Sequence, residues 1–325
     1  MSVDLLTLGE SMVSLRSAGP LSAGGSLSMH VAGAESNVAV GVARLGHRVA
    51  WAGVVGADPH GEFILRQLRG EGLDVRHRVE PDRGTGVMFL ERRTADISRA
   101  YYYRAGSAGS TLSREDVDRA FAARPRALHL TGITPALSAD ARRAVEYAAA
   151  RGAAEGLTVS LDVNYRAKLW SRDEAGAVLM PLARHATLLI ASDDELALVA
   201  DGGAERSGTA DPEAAERAMA AELLGRGVRE VVIKRGAAGA GVYTAEGRLE
   251  APAVPVTSID TVGAGDAFTA GYLSALLDGA DVAERLRRGT LAGAFAVSTA
   301  GDCEGLPTAV ELALLGAAPD GSTQR

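Results

Sequence analysis

At 325 residues the chain is long for a minimal domain and short for three, which favours one large domain carrying an accessory element. Hydrophobic residues at 47% and charged residues at 23% exclude a disordered chain, and a net charge of −7 without a run of like charges argues against a nucleic acid or an anionic membrane as the main partner. The single cysteine, Cys303, rules out an intrachain disulfide and a multi-cysteine zinc site.

Met1 leads directly into a strand-like segment from Val3 to Leu8, without the basic and apolar regions of a signal peptide. No apolar run reaches membrane-spanning length, so a cytoplasmic protein is expected. Further buried strands are predicted at Val49 to Val55, Ala127 to Leu130, Leu157 to Leu161, Thr187 to Ile190 and Val231 to Ile233. Helical periodicity lies between most of them, at Glu35 to Leu45, Gly61 to Glu71, Ala139 to Arg151, Arg172 to Leu182 and Glu213 to Arg226, then Ala264 to Leu277 and Val282 to Ala300. Such alternation predicts an α/β fold, doubly wound, with a mostly parallel sheet and helices on both faces.

Two stretches break the rhythm, Glu10 to Val31 and Gly84 to Arg104, the second with apolar or aromatic runs flanking a polar turn like a hairpin. Together they suggest a small antiparallel β lid over the carboxyl edge of the main sheet, where ligands of open α/β folds bind. The expected division is a main domain of 1–9, 32–83 and 105–318, a lid of 10–31 and 84–104, and a tail of 319–325. A polar loop is expected at Asp201 to Asp211.

The chemistry is concentrated in Gly263-Ala264-Gly265-Asp266, which opens a helix and so presents backbone amides to an anion. Small residues let phosphate oxygens approach, and a carboxylate in the same turn can take a proton from an attacking hydroxyl. Taken alone, the tetrapeptide would equally suit a turn in which Asp266 caps the helix.

Its surroundings are more specific. Asp260 to Phe268 resembles the C-terminal signature of the ribokinase-like (PfkB) carbohydrate kinases, and Gly33-Ala34-Glu35-Ser36-Asn37 through Gly46 resembles their N-terminal one. Tyr101-Tyr102-Tyr103-Arg104, Leu161 to Trp170, and Gly301-Asp302-Cys303-Glu304-Gly305 are most similar to the 2-keto-3-deoxygluconate kinase branch of that family. The resemblance implies ATP-dependent phosphorylation of the terminal C6 hydroxyl of that acid sugar, with fructose, ribose or a nucleoside as alternative acceptors.

Carried over residue by residue, it implies Asp266 as base and Gly263, Ala264 and Gly265 as an anion hole. Gly33, Ala34, Asn37, Tyr102, Tyr103, Arg104, Arg166 and Asp302 would contact the sugar, together with Asp266. The two arginines suit a carboxylate, since a neutral sugar needs neither. Ser192, Lys234, Arg235, Gly236, Gly239, Ala240 and Thr290 would line the nucleotide, although Thr290 departs from the Asn common in relatives. Met88 stands in the lid where an aromatic could sit. ATP implies Mg²⁺, no protein metal site is read from the histidines, and a monovalent cation near Asp260 is left open. Homo-oligomers built through the lid are also implied.

Other classes fit less well. Neither lysine, Lys168 nor Lys234, is followed by Ser or Thr as a P-loop requires, and the protein-kinase loop and the Gly-x-Ser-x-Gly elbow are absent. The first strand ends in Gly9-Glu10 without a dinucleotide fingerprint. A non-catalytic sugar- or nucleotide-binding protein would be expected to have lost the carboxylate at 266.

Overall fold

The structure, a computed structural model, describes residues 2–94, 97–200 and 211–317. The expected loop at 201–211, apart from Asp211, and the tail at 319–325 lie outside the described residues.

Among these residues, β1 (Leu5–Leu8) pairs in parallel with β4 (Val49–Gly56) on one side and with β8 (Ala127–Thr131) on the other. From β4 the sheet continues to β5 (Asp74–Glu80) at one edge. From β8 it runs through β9 (Thr158–Asp162), β10 (Leu188–Ser192) and β11 (Glu230–Lys234), all parallel. Two antiparallel strands, β12 (Ala240–Thr244) and β13 (Gly247–Ala251), complete nine in the order β13-β12-β11-β10-β9-β8-β1-β4-β5.

Helices cover both faces, which is why strands such as Val49–Gly56 read as unbroken apolar runs instead of alternating ones. On one face α3 (Arg114–Phe121), α4 (Ala139–Ala154), α5 (Arg172–Ala183) and α6 (Pro212–Gly225) bury Phe121, Val145, Leu179 and Leu223 against Leu6, Leu128 and Leu161. On the other, α1 (Ala34–Arg44), α2 (Pro59–Gly70), α7 (Ala264–Leu277) and α8 (Val282–Val297) pack Val38, Ile64 and Leu273 on Leu5, Trp51 and Ile190. A last helix, α9 (Ala309–Ala317), places Leu312 against Leu291 of α8. Among the described residues no helix is long and apolar enough to cross a membrane.

Seven of the described helices begin with a side-chain cap, from Asp58, Ser113, Ser138, Ser171, Asp211, Asp281 and Thr308, each satisfying an amide of the first turn. The exceptions are α1 and α7, which start on Gly33 (φ 149°) and Gly263 (φ 77°) with no side-chain cap. Both are left-handed positions that a side chain would strain, and both helix starts face the same cavity.

A second sheet of four strands has the order β3 (Ser28–Ala32), β2 (Met12–Ser17), β6 (Val87–Arg92), β7 (Ser98–Tyr103). Its outer pairings are antiparallel, including the expected hairpin of β6 and β7. The central pairing of β2 with β6 is parallel, because these strands arrive from separate excursions out of the main sheet.

The helix periodicities match elements to within a few residues, and Ala264–Leu277 coincides with its expected bounds. Strand β5 was not anticipated. It is an edge strand, Asp-Val-Arg-His-Arg-Val-Glu, whose charges answer ion pairs such as Arg76 with Asp74 and Arg78 with Asp116. Helices α3 and α9 were also missed.

Candidate active site

Between the small sheet and the carboxyl edge of the main sheet lies a cavity of about 1090 Å³. Met12, Met88, Ala100 and Tyr102 form its roof; Gly33, Ala34 and Asn37 of the α1 start, Gly263 and Asp266 of the α7 start, and Asp302 form its floor. Arg104, Arg166 and Lys168 stand around its rim.

Asp266 sits in the first turn of α7 and is 8% exposed. Its Oδ2 accepts a hydrogen bond from Asn37 Nδ2 at 2.8 Å, and its Oδ1 lies 3.5 Å from Asn164 Nδ2. The same Asn37 Nδ2 donates to Asp302 Oδ1 at 2.6 Å, while the Cys303 thiol donates to Asn37 Oδ1 and fixes which way the amide faces. Burial pushes the Asp266 carboxyl above its usual range, against the Asn37 bond and the Arg166 charge that pull it down. Asp302 is pushed up to about 7 by burial and then by the neighbouring Asp266 charge.

On the other side of α7, at the ends of β9 and β11, Lys234 Nζ donates to Asp162 Oδ2 at 2.6 Å. Thr269 donates to the same oxygen, whereas Asp162 Oδ1 is buried without a partner. A Cβ added to Gly265 would make only an ordinary contact with Lys234 Nζ, at 3.5 Å, which places the ammonium beside the helix start and makes a cradle of the two.

In the roof, adjacent strand residues face opposite ways. Tyr102 therefore turns to the cavity, with Arg104 and Lys168 over its ring, while Tyr103 turns outward onto Phe89 and is 68% exposed. Both tyrosines expected against the sugar border the cavity, Tyr102 with its ring beneath Arg104 and Lys168 and Tyr103 with its ring against Phe89.

The two arginines also differ. Arg104 is committed to Glu10, its Nε 2.7 Å from Oε2, and Ser107 holds the other carboxylate oxygen. Arg166 bonds the carbonyl of Tyr165 and makes no ion pair among the described residues.

On the nucleotide side, Ser192 and Lys234 are register partners at the ends of β10 and β11. The Ser192 hydroxyl donates to Asp194, and Thr290 donates to the carbonyl of Arg287, so the Thr290 oxygen remains only as an acceptor. Arg235 is paired with Glu216 and Glu250, while Gly236 and Gly239 take the positive φ angles of the turn that returns the chain to Ala240. Asp260 accepts the Val262 amide and lies 3.8 Å from Arg16. Sequence reasoning missed Glu10, Asp162, Asn164 and Lys168, the last of which donates to the Ala100 carbonyl on the edge of β7.

The family model for pfkB carbohydrate kinases matches residues 3–309. The chain belongs to the pfkB family of carbohydrate kinases. It is an ATP-dependent sugar kinase in consequence. This kinase is 36% identical over 322 residues to a Bacillus subtilis protein named 2-dehydro-3-deoxygluconokinase, covering 96% of this chain and 95% of the relative. A Thermoproteus tenax protein of the same name is 38% identical over 313 residues, covering 94% and 92%. A 2-dehydro-3-deoxygalactonokinase of Haloferax volcanii is 30% identical, covering 93% of each chain. Among solved structures, a PfkB protein from Polaromonas sp. JS666 superposes with a TM-score of 0.84 at 34% identity, over 98% of this kinase and all of that chain. A ribokinase-like protein from E. coli solved with ATP and Mg²⁺ gives 0.86 at 26% identity, over 97% and 99%.

Proposed function

We propose that this kinase transfers the γ-phosphate of ATP to the C6 hydroxyl of 2-keto-3-deoxygluconate, the sugar also called 2-dehydro-3-deoxygluconate, with Asp266 as the general base. The observation that carries the reading is the placement of Asp266. A buried carboxylate raised above its usual range stands at an uncapped helix start, on the floor of a cavity whose rim carries Arg166 and Lys168, neither in an ion pair among the described residues.

In this reading Arg166 grips the sugar carboxylate with forked hydrogen bonds, and Lys168 and Tyr102 close over the chain of hydroxyls. Asn37 aims Asp266 at the terminal hydroxyl, whose proton moves to the carboxylate as its oxygen attacks phosphorus. The amides of Gly263, Ala264 and Gly265 take the charge that spreads over the γ-phosphoryl oxygens, and Lys234 supports it from the far side of the cradle. The small sheet acts as the lid that excludes water.

The donor set suits Mg²⁺ carried on the nucleotide. Among the described residues no group of three carboxylate, histidine or cysteine side chains is assembled, and Mg²⁺ is commonly held by phosphates and water with little help from a protein cage. When bound, it neutralises charge on the β and γ oxygens. The outer face of the lid exposes Leu27, Met29, Tyr101 and Tyr103, which supports a homo-oligomer formed there.

A coupled assay decides the substrate. Turnover of 2-keto-3-deoxygluconate should exceed that of fructose, ribose and a nucleoside. Faster turnover of a neutral sugar would reject the acid-sugar reading, and regiochemistry follows from phosphorus NMR of the product.

A further inference from the structure

The floor of the cavity holds two carboxylates around one amide. Both hydrogens of Asn37 Nδ2 are spent, one on Asp266 at 2.8 Å and one on Asp302 at 2.6 Å. All three side chains are more than nine-tenths buried, and Asp302 lies against Gly263, where a Cβ would meet its Oδ1 at 2.7 Å. One neutral amide cannot neutralise two buried charges.

We infer that Asp302 is a positioning residue for Asp266: the two form one coupled carboxylate pair across Asn37 and share a single proton, held on the Asp302 side. This rests on the reading of Asp266 as base and extends it to the state that base must be in.

The neighbours decide which member keeps the proton. Facing Asp266 are Arg166 from the loop after β9, Lys234 from β11, and Asp162 from β9, so two cations stand against one anion. Facing Asp302 are Asp266 from α7 and Glu304 from its own loop, against Arg16 of β2 alone, with the Cys303 thiol neutral beside it. Charge therefore settles on Asp266 and the proton on Asp302, whose carboxyl ionises only near pH 7. In the protonated form Asp302 leaves Asp266 free to accept a proton. Ionised, it adds a second negative charge to a floor that must receive an acid sugar and a triphosphate.

Two measurements test the pair. Without ligands, carbon NMR of aspartate-labelled protein should show one carboxyl titrating near neutrality. That signal should vanish in Asp302→Asn and move to lower pH in Asp266→Asn, where the repelling charge is gone. In the wild type, kcat/KM for the acid sugar should fall about tenfold per pH unit above neutrality. Asp302→Asn should lower the plateau but remove that alkaline limb. The pair is overturned if no aspartate titrates above pH 5, if the neutral titration stays put in Asp266→Asn, or if the alkaline limb persists unchanged in Asp302→Asn. If the NMR result holds while Asp266→Asn turns over normally, the pair stands and the assignment of the base fails instead.

Discussion

Arg104 and Glu10 form a buried ion pair, with side chains 9% and 1% exposed, at the point where the chain crosses between the two sheets. Glu10 leaves the main sheet after β1, Arg104 returns to it after β7, and a Cβ on either Gly86 or Gly109 would strike the Glu10 side chain within 2.6 Å. Removing one partner strands the other without water. Glu10→Ala and Arg104→Ala should each cost about 3 kcal/mol, read as a lowered midpoint in urea denaturation. A raised KM in Arg104→Ala would then mix lost binding with a loosened junction.

Arg166 gives the cleaner test of carboxylate recognition, since it breaks no ion pair when removed. Losing one charge-assisted contact of about 1.5–3 kcal/mol should raise KM for the acid sugar roughly tenfold to a hundredfold and leave KM for ATP unchanged. An unaltered sugar KM would mean that the carboxylate is held elsewhere.

Asp266→Asn keeps the size and the Asn37 contact but cannot take a proton. Turnover should fall by roughly a hundredfold to ten-thousandfold, with ATP affinity measured by calorimetry preserved. Near-normal turnover would remove Asp266 from the mechanism.

The contact between α1 and α7 sets the distance from Asn37 to Asp266. A Cβ on Gly41 would lie 2.6 Å from Ala270 Cβ, so Gly41→Ala must push the helices apart. The variant should lose about 1–3 kcal/mol of stability by overpacking. Below its melting temperature its kcat should also drop, because the 2.8 Å bond to the base lengthens. Retained kcat in a destabilised variant would uncouple the packing from the site.

His129 is wholly buried, bonded to Ser160 through Nδ1, with Nε2 unpartnered and its pKa lowered to about 4 by desolvation. A lowered folded-state value means the neutral form is favoured, so its contribution is complete above the unfolded value of about 6.5 and is lost as pH falls toward 4. The stability advantage of wild type over His129→Leu should therefore shrink by up to about 3 kcal/mol between pH 7 and pH 4. A pH-independent gap would show that His129 takes up its proton as readily in the folded protein as in the unfolded chain.

Much of this was legible along the chain. Apolar runs marked the buried strands, and the glycine at each uncapped helix start marked the two signatures that meet at Asn37 and Asp266. What could not be read was pairing across distance. Nothing in Gly9-Glu10 announces that its carboxylate meets Arg104, and the facing of Tyr102 and Tyr103 depends on a register set by the partner strand. One signal was available and passed over. The chain has only two lysines, and both lie at the site, Lys168 beneath the roof and Lys234 on Asp162.

The parallel centre of the small sheet bears on how the molecule assembles. Val13 pairs with Val87, so β2 and β6 cannot zip from a local hairpin and must wait until β4 and β5 have docked and brought the chain back. The covering sheet is thus expected to order last during refolding, and its amides to exchange with solvent before those of β1, β8 and β9 as the native protein begins to open.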